Sequence, residues 1–216
     1  MNTIKFFDNV KDGDILFFWR KGLFSYIIRL YQKLNRKNNL NKINHCGVVY
    51  NPIKTENSLT FYLSHQTING GYFDYYQIRK ELLKDGGYQY IIESDYNGYT
   101  DIRNFLNYYW LNLEIPFTKR EKERGLEDAY NQVGKTYGYI TLFTYIPIIG
   151  ILLDKIYKYL FKRKMRRICS SHVLINHLKA GRTINNIVRD NPYPTPEFLA
   201  AYNKDDLQGD IIEINF

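Results

Sequence analysis

Alanine and cysteine are both scarce in this chain, with 4 Ala and 2 Cys in 216 residues. Two thiols far apart, Cys46 and Cys169, cannot supply the disulfide framework of a small secreted scaffold, and they predict a reducing, intracellular compartment. Close ligand pairs are missing as well. Only Cys169-Ser170-Ser171-His172 approaches the C-x-x-C form, and no second pair accompanies it. A zinc site built from His45, His65, Cys169 and His172 is therefore not expected, nor is any other cofactor. An uninterrupted apolar stretch is absent near the N-terminus, where Asp8, Lys11 and Asp12 fall, so no secretion signal is expected. Low-complexity tracts, internal repeats and linkers are absent too, which excludes a disordered or collagen-like chain.

What is present is an ordinary globular balance, 44% hydrophobic and 24% charged, enough for one domain of α+β type. The 21 Tyr, 25 Ile and 21 Asn suit an AT-rich coding genome, as in a low-GC bacterium, a phage or a large DNA virus. The net charge is +8, but segment 154–167 holds seven Lys and Arg against Asp154 alone, a local +6. A nucleic-acid binder spreads its basic residues along a face, so nucleic acid is not the expected partner. The 18 residues of 136–153 that precede the block carry no charge. Together they suit a hydrophobic hairpin packed on the domain, or an element lying at an anionic membrane surface through 155–167. As a membrane span the segment is marginal, because Pro147, Gly138 and Gly150 interrupt it.

Hydrophobic periodicity places strands at 15–19, 45–50, 59–66 and 88–93, with an edge strand at 210–216. The second and third of these form a hairpin. Helical spacing predicts helices over 24–34, 99–113, 119–134 and 168–180, the last stopped by Gly181. Strands fill the first half and helices the second, an α+β pattern.

A cysteine nucleophile needs a thiolate, a base and a group that fixes the base. Cys169 opens a predicted helix just after Arg166 and Arg167, and both the helix N-terminus and nearby cations favour a thiolate. Ser170 and Ser171 are placed to cap the first turn. His45 starts a strand and is the candidate base. Its neighbour Cys46 turns to the other face by strand alternation and is expected to be inert core, away from Cys169. His65, on the paired strand, is the candidate orienting residue, with Ser64 and Gln66 as competitors. His172 and His177 are expected to be surface or packing residues.

The order of these motifs resembles the circularly permuted, YiiX-like branch of the NlpC-like, papain-fold cysteine hydrolases. D-G-D-I-L-F from Asp12 precedes a helix, and N-H-C-G-V-V from Asn44 is similar to the family's T-H-V-G-I strand that carries the base. V-G-K-T-Y-G from Val133 resembles its helix-ending glycine segment, and I-C-S-S-H-V from Ile168 its C-S-E-L-V nucleophile helix. P-T-P-E-F-L from Pro194 is similar to its terminal turn. The resemblance implies a single permuted papain-like domain over 1–216, with 136–167 as a helical insertion. It also implies Cys169 as nucleophile, His45 as base, and hydrolysis of a peptide, amide or lipid-amide bond. Two departures stand out: His65 where the family has an acid, and Ser171 where it has Glu. The alternative is an inactive binding or structural protein on the same fold, associated with a virus or phage particle.

Overall fold

A computed structural model describes residues 2–19, 26, 28, 43–67, 69–96, 101–104, 107–136, 167–190 and 194–214. The predicted helix at 24–34 therefore falls almost wholly outside the described residues. So do the hydrophobic segment 137–153 and the basic block, apart from Arg167.

The turn ahead of the first strand anchors the sheet. Gly13 has φ +90°, and a Cβ there would come within 2.6 Å of the Phe117 ring, so the position takes glycine. Asp14 follows and is fully buried. Its Oδ2 accepts from the Lys11 N–H (2.9 Å) and the Trp110 indole N–H (2.7 Å), and its Oδ1 from the Leu113 N–H (3.0 Å). Burial pushes the Asp14 carboxyl up to about 7, against the pull of these donors.

Seven strands form one antiparallel sheet. They are β1 (Ile15–Trp19), β2 (His45–Lys54), β3 (Ser58–Thr67), β4 (Gly70–Leu82), β5 (Tyr88–Ser94), β6 (Asn107–Leu113) and β7 (Gly209–Ile214), in spatial order β5-β4-β3-β2-β1-β6-β7. β2 to β5 run as a meander, and β7 lies at an edge as its alternation predicts. The predicted helix at 99–113 is corrected: a single 3-10 turn at Ile102–Asn104 is followed by β6, which pairs with both β1 and β7. Both faces of β6 are covered. Tyr108 and Trp110 enter one core, while Tyr109, Leu111 and Leu113 enter the other. A strand apolar on both faces loses the period of two, and its spacing then imitates a helix.

Helices cover the two faces of the sheet. On one lies α1 (Asn2–Asn9), whose Phe6 packs edge-on against Trp110 with ring centroids 5.3 Å apart. Burying Phe6 and Phe7 contributes on the order of 2 kcal/mol each, which holds a helix too short to persist alone. On the other face lie α2 (Lys119–Gln132), α3 (Cys169–Ala180), α4 (Asn185–Asp190) and α5 (Pro196–Ala201). The capping box of Thr118 and Glu121 starts α2, and Gly181, in the left-handed region, ends α3 as its sequence predicts. The fold is α+β. Among the described residues no helix is long and apolar enough to cross a membrane.

Candidate active site

The placement of α3 on β2 determines the site. Asn176 sits two turns into α3, where its Oδ1 accepts from the Tyr50 hydroxyl of β2 and its Nδ2 donates to the Gly125 carbonyl of α2 (2.9 Å). Gly125 permits this approach, since a Cβ there would lie 2.3 Å from the Tyr50 hydroxyl. Arg167, just before α3, forms a two-pronged ion pair with Asp128 of α2 at 2.6 and 2.8 Å. From Asn176 back to Cys169 the helix runs about 10 Å. From Tyr50 back to Cys46 the strand runs about 13 Å. The two spans are close to commensurate, so pinning Tyr50 to Asn176 brings Cys169 to the start of β2.

Cys169 is the first residue of α3, with Ile168 as an extended N-cap and the Ser171 hydroxyl accepting from the Ile168 N–H at 2.9 Å. Ser170 instead donates to the Pro194 carbonyl, tying α3 to the segment ahead of α5. Of the two expected caps, Ser171 is hydrogen-bonded at the helix start. The Cys169 thiol lies beside the side chains of Cys46 and His45 and the Cys46 backbone N–H, close enough for each to shift its ionisation. Cys46 holds the Cys169 thiol well below the ordinary range; burial opposes it, and His45 adds to the lowering. Burial pushes the Cys46 thiol up, so within the pair Cys169 is the sulfur favoured as thiolate.

Two expectations are corrected here. Cys46 is buried core, but it is not remote from Cys169: both belong to the same apolar cluster on the α3 face. Helix α3 rests on the face of β2 that Cys46, Val48 and Tyr50 enter, so Cys46 lies on the Cys169 side of the sheet. Nor does Arg167 supply the cation near the thiol, because its guanidinium is committed to Asp128. Arg166 lies outside the described residues.

From His45 a relay runs across the sheet. Its Nε2 lies 3.0 Å from Nδ1 of His65, and His65 Nε2 lies 2.8 Å from the Asp74 carboxylate on β4. An ionised carboxylate only accepts, so His65 carries its proton on Nε2 and presents a bare Nδ1 to the His45 Nε2–H. That leaves His45 Nδ1 as the ring nitrogen that can exchange a proton with Cys169. His65 is fully buried, which lowers its pKa, while Asp74 pulls the other way. Phe18 lies 5.9 Å from the His45 ring, and Tyr72 and Tyr96 lie 6.1 and 6.4 Å from that of His65.

The structure thus brings Cys169, His45 and His65 together. It sends the two competitors elsewhere: Ser64 lies 2.8 Å from His172 Nε2, and Gln66 donates to the Lys135 carbonyl at 2.8 Å. His172 and His177 are both buried packing residues, the latter against Phe117. Asp74 is the residue that sequence reasoning missed. Its signal was the run F-D-Y-Y-Q-I-R after Gly70-Gly71, which continues as β4 and places Asp74 two positions along from Tyr72, opposite Leu63.

No family model matches this chain, and neither does any curated protein.

Proposed function

We propose that the protein is a cysteine hydrolase acting on an amide bond, of the circularly permuted NlpC-like type. The observation that carries this is the hydrogen-bonded series His45–His65–Asp74 behind Cys169, which lies beside His45 at the first residue of a buried helix. His45 precedes Cys169 in the chain, which is the permuted order. In this mechanism His45 Nδ1 takes the Cys169 proton and the sulfur attacks the carbonyl carbon. The first N–H groups of α3 have no acceptor within the helix, and they stabilise the developing oxyanion. His45 then protonates the leaving amine, and water cleaves the acyl-enzyme with the same base. His65 and Asp74 orient His45 and stabilise it as it becomes positive. The chemistry admits peptide, cell-wall and lipid amides alike.

The test is alkylation of Cys169 by a small iodoacetamide probe as a function of pH, with the modified residue located by peptide mapping. Labelling of Cys169 is expected to persist well below pH 8.5, the value for an unperturbed thiol. His45→Ala is expected to move the profile upward and to slow labelling at pH 7 by at least about tenfold. Labelling that appears only above about pH 8.5, or that is indifferent to His45→Ala, would favour a non-catalytic protein of the same fold.

A further inference from the structure

The proposed hydrolysis uses one thiol, yet two meet at the site. Cys46 and Cys169 are both reduced and lie at 0% and 2% exposure in one apolar cluster, where helix α3 rests on β2 and the two thiols perturb each other's ionisation. Cys46 directly follows the base His45 and sits on β2, a central strand paired on both sides. A strand so held cannot carry its thiol away from the helix start. Two thiols that meet at one helix start form a disulfide once side-chain rotation brings the sulfurs to about 2.05 Å.

We propose that Cys46 and Cys169 form a reversible disulfide when the protein meets a peroxide, and that this bond switches the site off. The proposal deepens the hydrolase reading and, as regulation, rests on it. Cys169 attacks one peroxide oxygen, the O–O bond breaks, and hydrogen peroxide is reduced to water while Cys169 becomes a sulfenic acid. The Cys46 sulfur then attacks the Cys169 sulfur. The S–S bond forms as the S–O bond breaks, and the departing hydroxide takes the Cys46 proton as a second water. Two thiols and one peroxide give one disulfide and two waters. A dithiol reductant reverses the change by exchange through a mixed disulfide. Two features favour this route over irreversible oxidation. The resolving thiol lies in the same apolar cluster as the sulfur that is oxidised, and the burial of both limits the access of a second peroxide.

The experiment uses the full chain, folded and reduced. Cys169 is first shown to alkylate; the protein is then treated with equimolar hydrogen peroxide, its intact mass is measured, and the proteolytic peptides are mapped without reduction. The expected result is a mass lower by two hydrogens, one cross-linked peptide pair holding Cys46 and Cys169, and loss of alkylation. Dithiothreitol should then restore alkylation fully. In Cys46→Ala, the same peroxide should add oxygen at Cys169, and excess peroxide should leave a form that dithiothreitol does not rescue. The wild-type measurement needs no variant, so a misfolded Cys46→Ala would not spare the proposal. A gain of oxygen without the cross-link, or a cross-link only between chains, would overturn it. If Cys169 alkylates readily but no cross-link forms, the switch fails and the hydrolase reading stands. If the cross-link forms but Cys169 is unreactive at neutral pH, the hydrolase reading fails and the switch with it, while the two thiols remain neighbours.

Discussion

Replacing Asp74 by Asn is expected to lower the rate of the proposed hydrolysis on the order of 10²- to 10⁴-fold at neutral pH, although the two side chains are nearly the same size. The Asp74 carboxylate can only accept, which keeps the His65 proton on Nε2. An amide in its place can turn its NH₂ toward His65. That moves the His65 proton to Nδ1, where it faces the Nε2–H of His45 at 3.0 Å. Two donors then oppose each other. His45 is relieved by shifting its proton to Nδ1, the nitrogen that must receive the Cys169 proton, and the base is lost. The protonated His45 formed during turnover is also disfavoured, since it requires hydrogens on both nitrogens. The check is the rate on a fluorogenic amide together with urea unfolding. A large loss of rate with little change in the unfolding midpoint is expected. Equal activity in Asp74→Asn and wild type would remove Asp74 and His65 from the mechanism.

Acid is expected to destabilise the fold steeply below about pH 6.5, through two other histidines. Burial pushes His172 and His177 each down to about 3. Arg167, Asp128, His65 and His45 lie around His172, and Arg182 and Glu121 around His177. Above the unfolded value near 6.5 neither state binds a proton, and the contribution of each histidine to stability is fully present. As pH falls from there toward 3, the unfolded chain takes up protons that the folded chain refuses, and the contribution is lost. Each histidine costs about 1.4 kcal/mol per pH unit across that window. Asp14, pushed up to about 7, works in the opposite direction. Between about pH 7 and 4 the folded state holds a proton there that the unfolded state lacks, which offsets roughly one histidine. The net slope is still of order 1 kcal/mol per unit, against a total stability of about 5–15 kcal/mol. Urea titrations at pH 7.5 and 5.0 on wild type and His177→Gln would check this. The difference in stability between the two pH values should shrink by about 2 kcal/mol in the variant, whatever its absolute stability. An unchanged difference would mean that His177 is protonated in the folded state.

Much of the site was legible in sequence because its pieces are local. Cys169 precedes a helical run that ends at Gly181, and His45 opens an apolar strand; each can be recognised from its immediate neighbours. What escaped depends on contacts between distant segments. Asp74 joins the relay only because β4 pairs with β3 in the register that places Tyr72 opposite His65 and Asp74 opposite Leu63. Strand alternation correctly separates Cys46 from His45, but it says nothing of a helix more than a hundred residues later that rests on the Cys46 face. β6 was misread for a related reason. Alternation marks a strand only when one face meets water, and Tyr108 to Leu111 are buried on both. Arg167 shows the converse error, since proximity in sequence to Cys169 does not prevent a distant carboxylate, Asp128, from claiming its charge.

The most direct measurement of the central claim is the capture of an acyl group on the nucleophile. The reduced protein is mixed with an activated acyl ester, quenched in acid within the first turnover, and mapped by peptide mass. One acyl group per chain is expected, carried by Cys169, absent in Cys169→Ala and strongly diminished in His45→Ala. An acyl group on Cys46, or none on a folded chain whose Cys169 is reduced, would contradict it.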